Sequence, residues 1–299
     1  MSVAALSARP RVLAVAGALT IAFSSILVRV SHASPSTAAI FRCAYALPLL
    51  AVLAWREDRR HGPRPARERL VAAAAGVLFA ADLICWHHSI ADVGAGLSTV
   101  LGNLQVAFVP LVAWALLDEH PGARVLAALP VVLGGVVLIS GALEHGAYGR
   151  HPAQGTLYGV ATGVTYAAFI LVMRRAGADV RRTGGALFDM TAVATVAALL
   201  AGLAIGDAHL VPSWPGHAWL ATLALSSQVL GWMLITTSLP RLPAAMTSLL
   251  LTVQPVGSVV LGALLLGEAP TALQLLGAAT LLVALAAVAR APRAAPAPA

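Results

Sequence analysis

LQVAFVPLVAWALLDEHP, residues 104–121, is apolar almost throughout. Yet it places Gln105 at its start and Pro110 within it, and it stops at an acid pair followed by Pro121. A second run, VQPVGSVVLGALLLGEAP, residues 253–270, repeats the plan. Gln105 to Glu119 is fourteen residues, as is Gln254 to Glu268, and the offset between the runs, 149, is close to half of the 299 residues. Such a duplication is the mark of an internal repeat.

The composition says what kind of repeat it is. Hydrophobic residues make up 59% of the chain and charged residues 10%, with a mean hydropathy of +0.86, which leaves too little polar surface to coat a soluble globule. A bilayer core about 30 Å thick takes roughly 20 apolar residues per helix. Ten runs meet that need: 12–30, 36–55, 70–90, 96–117, 123–142, 154–173, 184–205, 216–236, 243–266 and 271–289. They are too long and too little alternating for a transmembrane barrel, and helices are the element that satisfies its own backbone in lipid. The expected fold is therefore an all-α membrane protein with ten transmembrane helices.

Charge orients it. The net charge is +7, and all nineteen basic residues are arginine. With a cytoplasmic N-terminus, sixteen fall on the inner side, in the groups 9–11, 56–69, 124, 174–182, 241 and 290–293; Arg29 and Arg150 fall outside, and Arg42 lies within a span. That is a positive-inside bias placing both termini in the cytoplasm. The arginines then serve lipid headgroups, and nucleic acid is not an expected partner. Residues 1–33 also resemble a signal peptide, but the run is long for one and the repeat needs it as a helix. The ending APRAAPAPA, within 291–299, reads as a disordered tail. Cys43 and Cys85 both fall in spans and are expected to be reduced.

The repeat extends through both halves. At offset 149, Ser98 stands over Thr247 and Asn103 over Thr252; at 146 or 147, Phe23 matches Phe169, Phe41 matches Phe188 and Trp86 matches Trp232. Five spans per half is an odd number, so the second copy enters the membrane from the opposite side. The halves, 1–148 and 149–290, form two inverted five-helix repeats, the arrangement by which one packing unit yields two exchangeable conformations.

SIADVGAGLSTVLGNLQVAFVPLVAWALLDEHPGARVLAALPVVLGGVVLISG and SLPRLPAAMTSLLLTVQPVGSVVLGALLLGEAPTALQLLGAATLLVALAAV both resemble the EamA repeat of the drug/metabolite transporter superfamily. The arginine of FRCAYALPLL fits that family's second span, while DEH departs from the glycine that usually precedes its glutamate. The resemblance implies a ten-helix basket around a central cavity, exporting amino acids, other metabolites or toxic compounds, with the third and eighth helices on the cavity wall.

Polar residues inside spans carry most of the functional signal, since they are costly there. Asp82 and Trp86 lie four apart in the third span with Ser89 beyond, and Gln228 and Trp232 lie four apart in the eighth with Thr236 below. Both pairs share a helix face, and they correspond at offset 146. They are the expected substrate wall, with the reading of the tryptophans as interfacial anchors as the alternative. Tyr166, equivalent to Thr20, and Asn103, Gln105, Thr252 and Gln254 complete the expected substrate residues. Pro110 and Pro255 are expected hinges, because each removes a backbone donor within a span. Glu119 and Glu268, each two residues before a proline, are expected to favour the N-terminus of the following helix.

Asp82 lies roughly 18 Å from the cytoplasmic end of its span, so it is expected either to carry a proton or to be held by Arg42. Arg42 and Asp189 are equivalent and opposite in charge, but inversion puts them at different depths and they are not expected to pair. Arg42, Asp82 and His87 are the candidates for coupling, with protons as a candidate partner beside a small-molecule substrate and the lipid bilayer. His87 and His88 do not make a metal site, because the other histidines are scattered and a coordination shell needs more ligands. No cofactor and no catalytic residue is expected. The reading is an inner-membrane secondary transporter, an exporter of a small metabolite or amino acid working by alternating access between the two five-helix halves, with a membrane enzyme or a receptor or scaffold as the alternatives.

Overall fold

The computed structural model describes residues 10–117, 120, 122–176, 180–238 and 253–289, and regular structure within them is helical. Helix α1 spans Pro10–Ser31, α2 Pro35–His61, α3 Ala66–Val93, α4 Ala95–Gly102, α5 Gln105–Leu117 and α6 Ala123–Ile139. Helix α7 spans Pro152–Ala176, α8 Thr183–Ile205, α9 Gly216–Leu223, α10 Trp232–Ser238, α11 Val253–Leu266 and α12 Ala272–Ala289. Six described stretches are long and apolar enough to cross a membrane: Pro35–His61, Ala66–Val93, Ala95–Val112, Pro152–Met173, Thr183–Ile205 and Gly216–Ile235. Shorter apolar helices cover Val15–Ser31, Ala123–Ile139, Val253–Leu266 and Ala272–Val288. The protein is a multi-pass membrane protein.

The helices start where local chemistry favours a start. Prolines open α1, α2 and α7, where the missing N–H is one the first turn does not use. Helix α2 continues past the expected end at 55 to His61, because WREDRRH contains good helix formers and nothing to stop it before Gly62. Helix α3 closes at Gly94, whose φ is 93° and whose N–H donates to the Ile90 carbonyl at 3.1 Å. A side chain there would be strained, and its Cβ would stand 2.9 Å from Glu268 Oε1.

Two spans are less regular than their apolar runs suggest. The fourth is divided at Asn103 and Leu104, where Leu104 N–H donates to the Leu101 carbonyl at 2.9 Å and Val106 N–H to the Asn103 carbonyl at 3.0 Å. These are tighter, three-residue bonds. Pro110 lies within α5, beyond this division. In the eighth span, residues Ala224–Gly231 between α9 and α10 form a π-helical segment. Of the ninth expected span, 243–252 lies outside the described residues, as do Glu119, Thr247 and Thr252.

The halves interlock. Helix α1 packs against α9, α10, the π segment and α11, while α7, its counterpart in the repeat, packs against α3, α4 and α5. Helix α2 lies on α8, α6 on α12 and α4 on α11. The approach of α3 to α8 is close enough that a Cβ on Gly76 would stand 2.4 Å from the Met190 carbonyl oxygen. Polarity runs opposite to that of a soluble protein. Leu133, Leu157, Leu200, Leu264 and Val283 are exposed, whereas Arg42, Asp82, Thr191 and Gln228 are buried. The outer surface matches lipid, and the polar groups are withdrawn between helices.

Candidate substrate site

Arg42 enters from α2, Asp82 and Trp86 from α3, Tyr166 from α7, Thr191 from α8 and Gln228 from the π segment. Arg42 is 3% exposed and Asp82 6%, and Gln228 has no exposure. Arg42 Nε donates to Gln228 Oε1 at 3.1 Å, and Gln228 Nε2 donates to Thr191 Oγ1 at 3.3 Å. The guanidinium carbon of Arg42 stands 5.7 Å from the centre of the Trp86 ring, within cation–π range. One chain of polar contacts thus joins residues of both halves across the buried middle of the helices.

Beside it is an aromatic wall. Tyr166 stacks on Phe169 with centroids 5.8 Å apart, and Phe79 lies 5.0 Å from Phe169. Trp232 stands edge-on to Phe79, Phe169 and Tyr166 at 6.2, 5.7 and 6.4 Å. Rings from α3, α7 and α10 therefore meet at one place, with Tyr166 and Trp232 together as the repeat suggests.

Of the two alternatives for Asp82, pairing with Arg42 is not seen in this structure: the ion pairs among the described residues join Arg64 and Arg69 to Asp189 and His88 to Asp207. Asp82 Oδ1 is buried without a hydrogen-bond partner, and so is Arg42 Nη1. Geometry explains the choice. Gln228 lies in the π segment, and its amide oxygen gives the guanidinium a neutral acceptor.

Other expected site residues stand apart. Asn103 is half-buried and donates from Nδ2 to the Thr99 carbonyl at 2.9 Å. Gln105 and Gln254 are half-buried and join none of these hydrogen bonds or ring contacts. Pro255 is buried in the first turn of the described part of α11. Ser89 donates to the Gly155 carbonyl at 2.8 Å and so holds α3 to α7. His87 is 1% exposed, its Nδ1 3.1 Å from the Pro35 carbonyl oxygen. His88 turns away to the Ile84 carbonyl, to the Tyr158 ring at 5.0 Å and to Asp207 at 3.6 Å. Among the described residues no group of three metal-binding side chains gathers. As expected, Asp189 is met not by Arg42 but by the arginines of the α2–α3 segment, Arg64 at 2.6 Å and Arg69 at 3.4 Å.

The acids at helix ends form a second system that local sequence reading misplaces. Glu268 does serve a helix N-terminus, but that of α4 rather than α12: its oxygens accept from Ala95 N–H at 2.6 Å and Gly96 N–H at 3.0 Å. Glu57, at the end of α2, accepts from Gly184 and Gly185 N–H at 2.9 and 2.8 Å at the start of α8. Asp207, just past the end of α8, accepts from Ser36 N–H at 3.1 Å at the start of α2. Each carboxylate meets the orphan donors and positive end of a helix in the other half. Near Glu268, outside the spans, burial and then the charge of Glu268 push the Tyr148 phenol up from its ordinary range.

Comparison with known proteins adds an independent line. The EamA-like transporter family matches twice in tandem, over residues 10–141 and 153–290. No curated protein matches the chain. A solved structure described only as a crystal structure of a protein shares 15% identity with a TM-score of 0.60, over 95% of this chain and 96% of that one. At that identity it speaks for the fold alone.

Proposed function

The chain belongs to the EamA-like transporter family, and from that premise we propose that it is a secondary transporter of the cell's inner membrane that exports a small metabolite or amino acid by alternating access. Ten spans arranged as inverted repeats over 1–148 and 149–290 would supply the two conformations. The exchange of partners between α1 and α7 supports that arrangement, because each packs on the other half's third and fourth spans. The arginine distribution supports cytoplasmic termini.

One observation carries the reading. Asp82 Oδ1 and Arg42 Nη1 are buried without partners beside a wall of aromatic rings, at the contact between the halves. A buried unsatisfied polar atom costs about 1–3 kcal/mol, and more when charged, so a ligand that pairs with both is favoured there. A substrate that hydrogen-bonds to both and lays an apolar part on Trp86, Tyr166 and Trp232 meets that need. Asp82, Arg42 and His87 are the groups we assign to coupling, and Pro110 and Pro255 to bending.

The test is flux. Purified protein in liposomes, given a panel of labelled amino acids and metabolites and an imposed pH gradient, is expected to move at least one of them unchanged. Chemical conversion of the solute would make the protein an enzyme, and neither movement nor conversion across the panel would remove the carrier reading.

A further inference from the structure

At the end of the helices that the arginine distribution assigns to the outside, one contact between the halves depends on a proton. Helix α8 stops at Gly206, whose φ of 86° turns the chain and whose N–H donates to the Gly202 carbonyl at 2.9 Å, with Asp207 N–H donating to the same carbonyl at 3.3 Å. This left-handed ending fixes Asp207 just past the helix, where its Oδ2 accepts from Ser36 N–H at 3.1 Å. The same oxygen is met by His88 of α3, whose Nε2 lies 3.6 Å away. We propose that His88 and Asp207 form a proton-operated clasp between α3 and the turn after α8: a proton between Nε2 and the carboxylate closes it, and loss of that proton to water releases it. The clasp gives the carrier reading a point of control and rests on that reading for its purpose, but not for the pairing itself.

The proton requirement follows from the geometry. His88 Nδ1 lies 2.8 Å from the Ile84 carbonyl oxygen, and because a carbonyl only accepts, Nδ1 holds a proton. In a neutral ring Nε2 is then a bare acceptor, and an ionised carboxylate is acceptor-only as well. The two sets of lone pairs oppose each other. One proton placed between them turns the contact into a charge-assisted hydrogen bond, so the clasp is closed in acid and lost as pH rises. The side chains of His88 and Asp207 are 17% and 23% exposed, which lets water deliver and remove the proton, and imidazole takes up its second proton in the weakly acidic to neutral range.

The neighbouring histidine shows what an unconditional contact looks like. His87 points about 100° away on the helix, and its Nδ1 proton goes to the Pro35 carbonyl at 3.1 Å, a bond that a neutral ring already makes. Helix α3 is thus held to α2 at any pH and to the second half only with a proton. The Tyr158 ring of α7, 5.0 Å from that of His88, packs the imidazole in place. Other titratable and charged groups stand at the same end: Asp92, one turn further along α3; His151, whose N–H donates to the Asp92 carbonyl at 3.2 Å, with Arg150 before it; Arg29 and His32 at the end of α1; and His209 beyond Asp207. The first turn of α2 and all of α4 carry no charged side chain. Among the described residues none of these groups forms an ion pair with His88 or Asp207, so a change at position 88 separates their titration from that of the clasp.

The clasp is tested by distance, without reference to flux. Nitroxide labels are placed through Ala91→Cys, exposed on α3 just past His88, and Val211→Cys, 83% exposed in the turn after α8. The carrier of both is full-length protein with Cys43→Ala and Cys85→Ala in lipid nanodiscs. Pulsed electron resonance is expected to give one narrow distance at about pH 5.5, and at about pH 8.5 a longer component whose share is about fivefold greater. In His88→Gln, whose side chain does not titrate, that share is expected to be high and equal at both pH values. In His88→Lys, charged at both, it is expected to be low at both. The comparison of the two pH values needs no change at His88, so a misfolded variant leaves the test intact. An unchanged distance between the two pH values, the same pH response in His88→Gln, or opening of His88→Lys at the higher pH overturns the proposal. A pH-dependent distance in protein that moves no solute in liposomes keeps the clasp and removes the carrier, and flux without a pH-dependent distance does the reverse.

Discussion

Two glutamates at the helix ends and the aspartate in the middle of the helices are partnered differently. At the ends, Glu57 and Glu268 each accept two backbone donors from the other half, and Asp189 is met by Arg64 at 2.6 Å. In the middle, Asp82 and Arg42 are buried and share no hydrogen bond with each other, and Asp82 Oδ1 and Arg42 Nη1 keep no partner, as Arg64 Nε and Nη1 and Asp207 Oδ1 also do at the ends. Satisfied groups hold two halves in one arrangement. Unsatisfied ones favour whatever arrives to complete them, so the ends read as joints and the middle as the working part.

Substitutions can break this contrast, and the largest effect is expected at Arg42. Arg42→Ala strands the Gln228 amide and leaves the buried Asp82 carboxylate without the buried guanidinium of the same polar site. The expected loss is about 3–5 kcal/mol, seen as a large fall in the thermal midpoint of detergent-solubilised protein. Adding Asp82→Asn should recover part of it, because the stranded charge is gone. A double variant as unstable as the sum of the two singles would show that Asp82 and Arg42 do not interact, and the middle would lose its meaning as one unit.

Glu268→Ala comes next. It removes two charge-assisted hydrogen bonds at a helix N-terminus, worth about 1.5–3 kcal/mol each at most, and it unties α11 from α4. A cysteine at Tyr148 should then be labelled faster by maleimide, while one at Arg64, on the opposite side, should not change. Equal acceleration at both positions would mean that the cap supports the whole fold rather than one end of it.

Asp82→Asn alone should change the thermal midpoint little, since the amide keeps the shape and removes only the unpaired charge. In liposomes it should abolish the response of flux to a pH gradient while substrate exchange persists. Full gradient-driven flux in this variant would return Asp82 to a packing role and send the search for coupling to His87. The smallest effect is expected for Thr191→Val. It deletes the acceptor of a 3.3 Å bond and leaves the Arg42–Gln228 contact in place, at a cost of about 0.5–1.5 kcal/mol. A loss as large as that of Arg42→Ala would show that Thr191 and not Gln228 anchors the chain.

What could be read before the structure follows the same division. The apolar runs locate the helices because burial in lipid is decided by composition over some twenty residues, and α8 at Thr183–Ile205 falls within one residue of its expected run. Trp86, Tyr166 and Trp232 were expected at a substrate site, and of these Tyr166 and Trp232 are in ring contact with each other. Phe79 and Thr191 gave no signal beyond lying in a span. Glu268 was legible as an acid near a helix end but its partner was not, because Glu268 and Ala95 are 173 residues apart and sequence offers only the neighbouring helix; Glu57 and Asp207 were not read as caps. Nor did charge matching find the contact of Arg42. Asp82 was the obvious acid, and the preference for Gln228 depends on a local winding that an apolar run does not reveal. The division at Asn103 was hidden for the same reason, since LSTVLGNLQ reads as continuous helix.

That local winding has a consequence for the balance of states. Two identical inverted halves would make the inward- and outward-facing arrangements mirror twins of equal energy, with no preferred rest position. The π segment Ala224–Gly231 has no counterpart in α3, which is an unbroken α-helix over Ala66–Val93. Degeneracy is therefore lifted at the residue that holds Arg42. For the two-state carrier proposed above this would amount to an off-centre pivot, with the empty protein resting on one side.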